Sequence, residues 1–268
     1  MVIVTKIYYK IFFYNLLYII MTELIIYFIL FLTLILAIFK NTQSRITKNN
    51  YIINTYLYVI VSVFIYIITV KILDKNEVDI LDIHQKILPI FILSIILLFG
   101  ILASSPSDQI MIHLLWLGFI ILMSVSGYPI YSLSKKTQTL TKVLLTLSIL
   151  LLGLSFLAYN NKLGYFDKWY KYLFGGLFVL IVFQCLDLIF SNPQEVLGRT
   201  WYYSLFAIVL FSGFYMYDTQ KLIKEGIILE RICNKNKHLQ CANYPVKSLN
   251  LYLDIMNLFN NLVIFNRN

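Results

Sequence analysis

The sequence predicts an all-α, polytopic membrane helix bundle, and three observations carry that prediction. Of its 268 residues, 60% are hydrophobic and only 13% are charged, against about 45–50% apolar and about 25% charged in soluble domains. The mean hydropathy is +0.78, and a soluble protein could not cover so much apolar surface. Apolar runs recur at the length that crosses a bilayer core, about 20 residues for about 30 Å. No alternating strand pattern survives, so backbone groups in lipid must be satisfied within helices.

Eight segments fit this description: approximately 20–39, 51–70, 87–103, 110–131, 139–158, 172–191, 200–219 and 248–265. The first follows Lys6 and Lys10 and has the outline of a signal peptide. No small-residue cleavage site comes after it and the apolar stretch continues to Phe39, which favours a retained anchor helix. An anchor helix with its basic loop is therefore expected over 1–50. The other seven form one membrane domain over 51–268, because no linker or composition break separates them. Their loops are short except for 220–247.

The net charge is +9, with the basic residues scattered through short loops and not gathered in a stripe. They read as topology signals and give no case for nucleic acid. The loops 40–50, 104–109, 159–171 and 220–247 hold eleven Lys and Arg before Lys247, and the opposite loops hold seven. The positive-inside rule puts the first set inside. No Arg precedes Arg45, so an Arg-rich mitochondrial presequence is absent. Cys185, Cys233 and Cys241 are odd in number and read as reduced thiols. Cys233, His238 and Cys241 would need a fourth ligand to hold zinc.

Two acids stand out. Asp218 sits in "MYDTQKLIKEG" (Met216 to Gly226), where a long uncharged run ends, and Asp254 lies inside "SLNLYLDIMNLFNNLVIF" (Ser248 to Phe265). An aspartate at mid-membrane costs about 2.5–3.5 kcal/mol on insertion scales, so it faces a partner or a wet cavity. Asp218 is expected to close the seventh helix. Both acids then lie within one or two turns of the long inside loop, at similar depth in one leaflet. Asn250, Asp254, Asn257 and Asn261 occur at i, i+4, i+7 and i+11, a single helical face. Such a row suits a water-lined path or an interhelical hydrogen-bond seam; with two aspartates nearby, we read it as pore-lining. Asp187 reads as a hydrated helix end, and His113 and Trp116 as packing and interface residues.

The segments "YDTQKLIK" (Tyr217 to Lys224) and "SLNLYLDIMNLF" (Ser248 to Phe259), with "NTYLY" (Asn54 to Tyr58) and "HLLWL" (His113 to Leu117), resemble the transmembrane Bax-inhibitor-motif family. In detail they look most like its growth-hormone-inducible transmembrane protein branch, associated with the mitochondrial inner membrane. The resemblance covers about 51–265. It implies a seven-helix Bax-inhibitor-like core plus one extra N-terminal transmembrane helix, and a pair of aspartates that gates calcium passage in response to pH. Carried over by position, the pair is Asp218 and Asp254.

The chain departs from the family pattern in three respects. Tyr244 stands beside Pro245 where relatives often have an acid, and the helices are poor in Gly. No Arg occurs between Arg45 and Arg199, whereas bacterial relatives latch the aspartates with a membrane arginine. Lys221, one turn from Asp218, is a substitute counter-ion.

Two carboxylates in a low-dielectric site cannot both ionise cheaply, so they share a proton. Calcium takes six to eight oxygens; Asp218 and Asp254 with the Asn257 and Asn261 amides supply part of that shell. Weak binding and passage follow, not storage. The expected function is a pH-sensitive calcium leak channel or Ca²⁺/H⁺ exchanger of an intracellular membrane: the mitochondrial inner membrane by the resemblance, with the endoplasmic reticulum or another internal membrane as alternatives. Its partners are the bilayer, calcium ions and protons, the last two as transported ions, with no cofactor. The alternative is a non-conducting scaffold that regulates apoptosis or cristae through cell-death or membrane-organising proteins. No enzyme is expected: an intramembrane aspartyl protease wants Gly-x-Gly before its second aspartate, where Leu251, Tyr252 and Leu253 stand.

Overall fold

Residues 47–105, 108–190, 193–233 and 242–267 are described by the computed structural model, all within the unit Arg45–Asn268. The anchor helix expected over 20–39 lies outside the described residues. Helix α1 (Lys48–Lys75) starts where the Thr47 hydroxyl accepts the Asn50 N–H at 3.2 Å, an ordinary N-cap. A short α2 (Ile80–Gln85) leads to α3 (Ile87–Ala103), α4 (Gln109–Lys136) and α5 (Leu140–Asn160). Gly164, with φ +84°, makes the left-handed turn that admits a 3₁₀ segment, Tyr165–Trp169. Then come α6 (Tyr170–Phe190), α7 (Pro193–Cys233) and α8 (Tyr244–Asn266). Seven of these helices have 17 residues or more, and the architecture is an all-α membrane helix bundle. Among the described residues, α1, α4 and α5 have the length and apolarity to cross a bilayer, and α3 is apolar but shorter.

Helix ends correct the sequence reading. Most of the expected loop 220–247 is helix, because α7 runs 41 residues to Cys233. Asp218 therefore sits inside a continuous helix and does not close one. At 1.5 Å per residue α7 spans about 60 Å, twice the hydrocarbon core, so it must extend beyond lipid. The reason is physical: Lys, Glu, Leu and Arg are good helix formers, and hydropathy marks where lipid ends, not where a helix does. The same applies to Lys71 and Lys75 on α1 and to Lys135 and Lys136 on α4. Cys233 is disulfide-bonded, so the reading of reduced thiols fails there; His238 and Cys241 lie outside the described residues.

Helix α8 occupies the centre. It packs most extensively on α7 and also touches α1, α4 and α5, whereas α3 leans on α4. Leu251, Tyr252, Leu258 and Val263 of α8 are fully buried. Gly226 of α7 lets α1 approach closely: an added Cβ would stand 3.2 Å from the Tyr51 ring and 3.4 Å from the Lys48 carbonyl oxygen.

Candidate ion site between the last two helices

The α7–α8 interface brings Asp218 and Asp254 close enough for their carboxyl groups to act on one another. An ionised carboxylate only accepts hydrogen bonds, so two neighbouring carboxyl groups can bond to one another only while one of them holds a proton. Asp254 is 6% exposed and its Oδ2 is buried without a hydrogen-bond partner. Asp218 is half-buried and opens toward a small cleft. Leaving a buried oxygen unsatisfied costs about 1–3 kcal/mol, so the site has spare capacity to accept a proton donor or a cation.

That cleft, about 10 Å³, is lined by Asp218, Lys221, Glu225, Lys247 and Asn250 among others, and holds one water at most. Lys221 stands beside Asp218 with its ammonium 5.8 Å from the centre of the Tyr217 ring. The second cation acting on Asp218 is Lys247, which sequence reading treated only as a topology charge. Its Nζ pairs with Glu225 Oε1 at 2.8 Å, and the Tyr51 hydroxyl donates to Glu225 Oε2 at 3.3 Å. One ion pair thus ties α1, α7 and α8 above the aspartates. Nothing in the spacing of Tyr51, Glu225 and Lys247 announces the cluster; only the helix continuing past Asp218 makes it.

The asparagine row divides. Asn250 is exposed and lines the cleft. Asn257 and Asn261 lie deeper along α8 and are half-buried. Asn261 donates its amide to the Asn257 backbone carbonyl at 2.8 Å, a bond internal to the helix. The side chain of Asp187 falls outside the described set.

Two further groups surround the pair. Gln220, buried next to Thr219, donates to the carbonyls of Ala158 at 3.1 Å and Lys162 at 3.2 Å, and accepts the Phe166 N–H at 3.3 Å. It fastens the end of α5 and the 3₁₀ segment to α7, which fixes the rotation that turns Asp218 toward α8. On the flank, Lys224 pairs with Asp167 at 2.6 Å; that hydrogen bond holds the lysine above its ordinary pKa. The second group is a hydroxyl layer. The Tyr56 and Thr219 hydroxyls are 3.5 Å apart, and those of Ser155 and Tyr215 are 3.0 Å apart.

An aromatic stack completes this end of the bundle. Tyr244 takes the place beside Pro245 at the start of α8, stacks on Tyr58 at 6.1 Å and tilts against Tyr51 at 5.6 Å. Tyr58 also bonds His113 at 2.6 Å and meets Trp116 edge-on at 5.4 Å. Trp116 is 1% exposed, which bears out the packing part of its expected role.

Residues 48–267 match the model of the family described as "Inhibitor of apoptosis-promoting Bax1". The chain belongs to this Bax inhibitor family. Among similar members, Protein LIFEGUARD 1 of Arabidopsis thaliana is 29% identical over 176 residues, 65% of this chain and 67% of the relative. Protein LIFEGUARD 4 of the same plant is 27% identical over 184 residues, 66% and 56% of the two chains. The Golgi anti-apoptotic protein of vaccinia virus, strain Lister, is 34% identical over 98 residues, 37% and 34%. The match spans from about a third to two thirds of these relatives' length. Within this Bax inhibitor chain, the matched region takes in α1 through α8 and hence the whole site.

Proposed function

We propose that this Bax inhibitor family member is a pH-sensitive calcium leak channel or Ca²⁺/H⁺ exchanger, with Asp218 and Asp254 as its gate. The observation that carries the reading is the closeness of the two carboxyl groups between α7 and α8, with one Asp254 oxygen buried and unpartnered. While the pair holds a proton, the hydrogen bond clamps the two helices. Once the proton leaves, two like charges about 4 Å apart at an effective dielectric near 20 repel by about 4 kcal/mol. That is enough to turn a closed-to-open ratio by about three orders of magnitude. Acid therefore closes the gate and neutral pH opens it. The bare carboxylates then attract a divalent cation. Asp218, Asp254 and Asn250 supply fewer oxygens than calcium needs, so water completes the shell and the ion passes on. The Glu225–Lys247 pair stands where an ion would enter.

The test is calcium flux into liposomes holding the purified full chain, read from pH 5 to 8. Flux that rises with pH, and becomes pH-independent in Asp218→Asn and Asp254→Asn, supports the gate; an unaltered pH response in both variants rules it out.

A second reading is supported by the naming of the vaccinia relative as anti-apoptotic: a non-conducting scaffold that restrains cell death through partners. Purified protein that passes no calcium at any pH would favour it. The mitochondrial inner membrane is the location we propose from "NTYLY" and "HLLWL"; the viral relative, named for the Golgi, supports a secretory membrane instead. Imaging a tagged chain separates them.

A further inference from the structure

Helices α1 and α5 each pack on α7 but make little contact with one another, and a slot of about 320 Å³ remains between them. Tyr56 of α1, Ser155, Phe156 and Tyr159 of α5, and Thr219 and Ile223 of α7 line it. Its volume falls at the lower end of the range for ligand sites. The flanking side chains Ile53, Leu152 and Phe156 are exposed by 52%, 73% and 68%, the apolar surface a membrane helix turns to lipid. The slot therefore opens sideways into the bilayer. Walls so largely apolar do not hold ordered water, and the surrounding solvent is hydrocarbon.

The two ends of the slot differ. Its floor carries the hydroxyls of Tyr56, Thr219 and Ser155, in the layer that includes Tyr215. At its rim the Lys48 ammonium lies 5.8 Å from the centre of the Tyr159 ring, one turn before the slot-lining Ile52. Among the described residues no carboxylate is within ion-pair distance of that ammonium; Glu230 meets only the Lys48 backbone N–H, at 3.3 Å. A cation at the interface over an apolar slot in the leaflet matches an anionic head on an acyl tail.

We propose that the slot is a binding site for one anionic phospholipid of the surrounding leaflet, its acyl chain between α1 and α5 and its phosphate against Lys48. This site is separate from the aspartate pair and does not depend on calcium transport. A single lysine at a membrane surface corresponds to about a fivefold preference for an anionic over a zwitterionic lipid.

The experiment reconstitutes the full chain in phosphatidylcholine vesicles with a trace of phosphatidylglycerol carrying a photoreactive acyl chain, and maps the crosslinked peptides by mass spectrometry. Labelling is expected to concentrate on peptides spanning 152–159 and 219–223. Lys48→Gln, on the surface, should cut the preference over a matched phosphatidylcholine probe by about fivefold, and Ser155→Phe, which fills the slot, should cut labelling by both. Labelling spread evenly over the exposed faces of α3 and α6 overturns the proposal, as does equal labelling by the two probes in the unaltered chain. Free fatty acid displacing the probe as well as phosphatidylglycerol does would overturn the phospholipid assignment. A crosslink from residues 1–44 into the slot, in place of lipid, would overturn it too.

Discussion

Helices α3 and α8 use the same solvent in opposite ways. α3 has 17 residues with no charge among them, and buries only Ser94 and Ile101. α8 has 23 residues, carries Asp254 and the asparagine row, and buries thirteen side chains. In water the more apolar helix would be the inner one. In lipid, apolar side chains gain nothing by leaving their surroundings, and association follows close packing and polar contacts. Phe91, Ile96 and Phe99 of α3 accordingly stay outside, at 58%, 59% and 67% exposure, while the helix with the costly polar groups is wrapped by four others.

The largest effect expected from that contrast is functional. Asp254→Asn should abolish the pH response of calcium flux, whereas Ile96→Asn, a new polar group on the outer face of α3, should leave its midpoint and slope unaltered. If Ile96→Asn shifts the response as strongly as Asp254→Asn, centrality has no bearing on gating.

Next in size is packing. Leu258 is fully buried on α8, so Leu258→Ala leaves a cavity worth about 2 kcal/mol or more. Phe99→Ala removes contacts with lipid only, and its effect should stay within about 0.5 kcal/mol. Thermal unfolding in matched detergent micelles separates them; equal losses would mean that α3 packs against something other than lipid.

How far these features are legible in the sequence follows from the same physics. Seven apolar runs of spanning length gave the helices, because lipid tolerates little else. Asp218 and Asp254 were visible as costly residues in apolar runs, and their shared depth followed from two antiparallel neighbours. What escaped was whatever depends on helix length beyond lipid. The extension of α7 past Asp218 places Glu225 against Lys247 and Tyr51, and no periodicity within one segment can show a contact among three. Gln220 escaped for another reason: its partners are backbone groups of Ala158, Lys162 and Phe166, which carry no sequence signature. For Trp116 the packing half of the reading holds, since it is buried against Tyr58.

Gln220 gives a smaller test of the contrast. Gln220→Ala would strand the Phe166 N–H and release the end of α5, at a cost of about 1–3 kcal/mol. Because Gln220 sets the rotation of α7, the flux midpoint should move while the response survives. A variant that loses stability with an unmoved midpoint would make the residue a fastening with no bearing on Asp218.

The smallest expected effect lies at exposed ion pairs away from the α7–α8 interface. Lys135 and Asp74 meet at 2.5 Å between the ends of α4 and α1, with side chains 58% and 27% exposed. Water and salt screen such a pair, and exposed bridges rarely contribute measurably. The hydrogen bond to Asp74 holds the Lys135 ammonium above its ordinary value. A raised lysine contributes stability below its unfolded pKa, near 10.4, and loses it as pH climbs through the folded value. The difference in unfolding temperature between the unaltered chain and Lys135→Gln should therefore be small, flat from pH 6 to 9, and reduced by added salt. The Lys247–Glu225 pair, only 33% and 25% exposed and adjoining Asp218, should behave otherwise. Lys247→Gln removes a positive charge acting on Asp218, so the flux midpoint should shift as well. If Lys135→Gln moves that midpoint as far as Lys247→Gln does, the charge sensed by the aspartates is not local to their cleft.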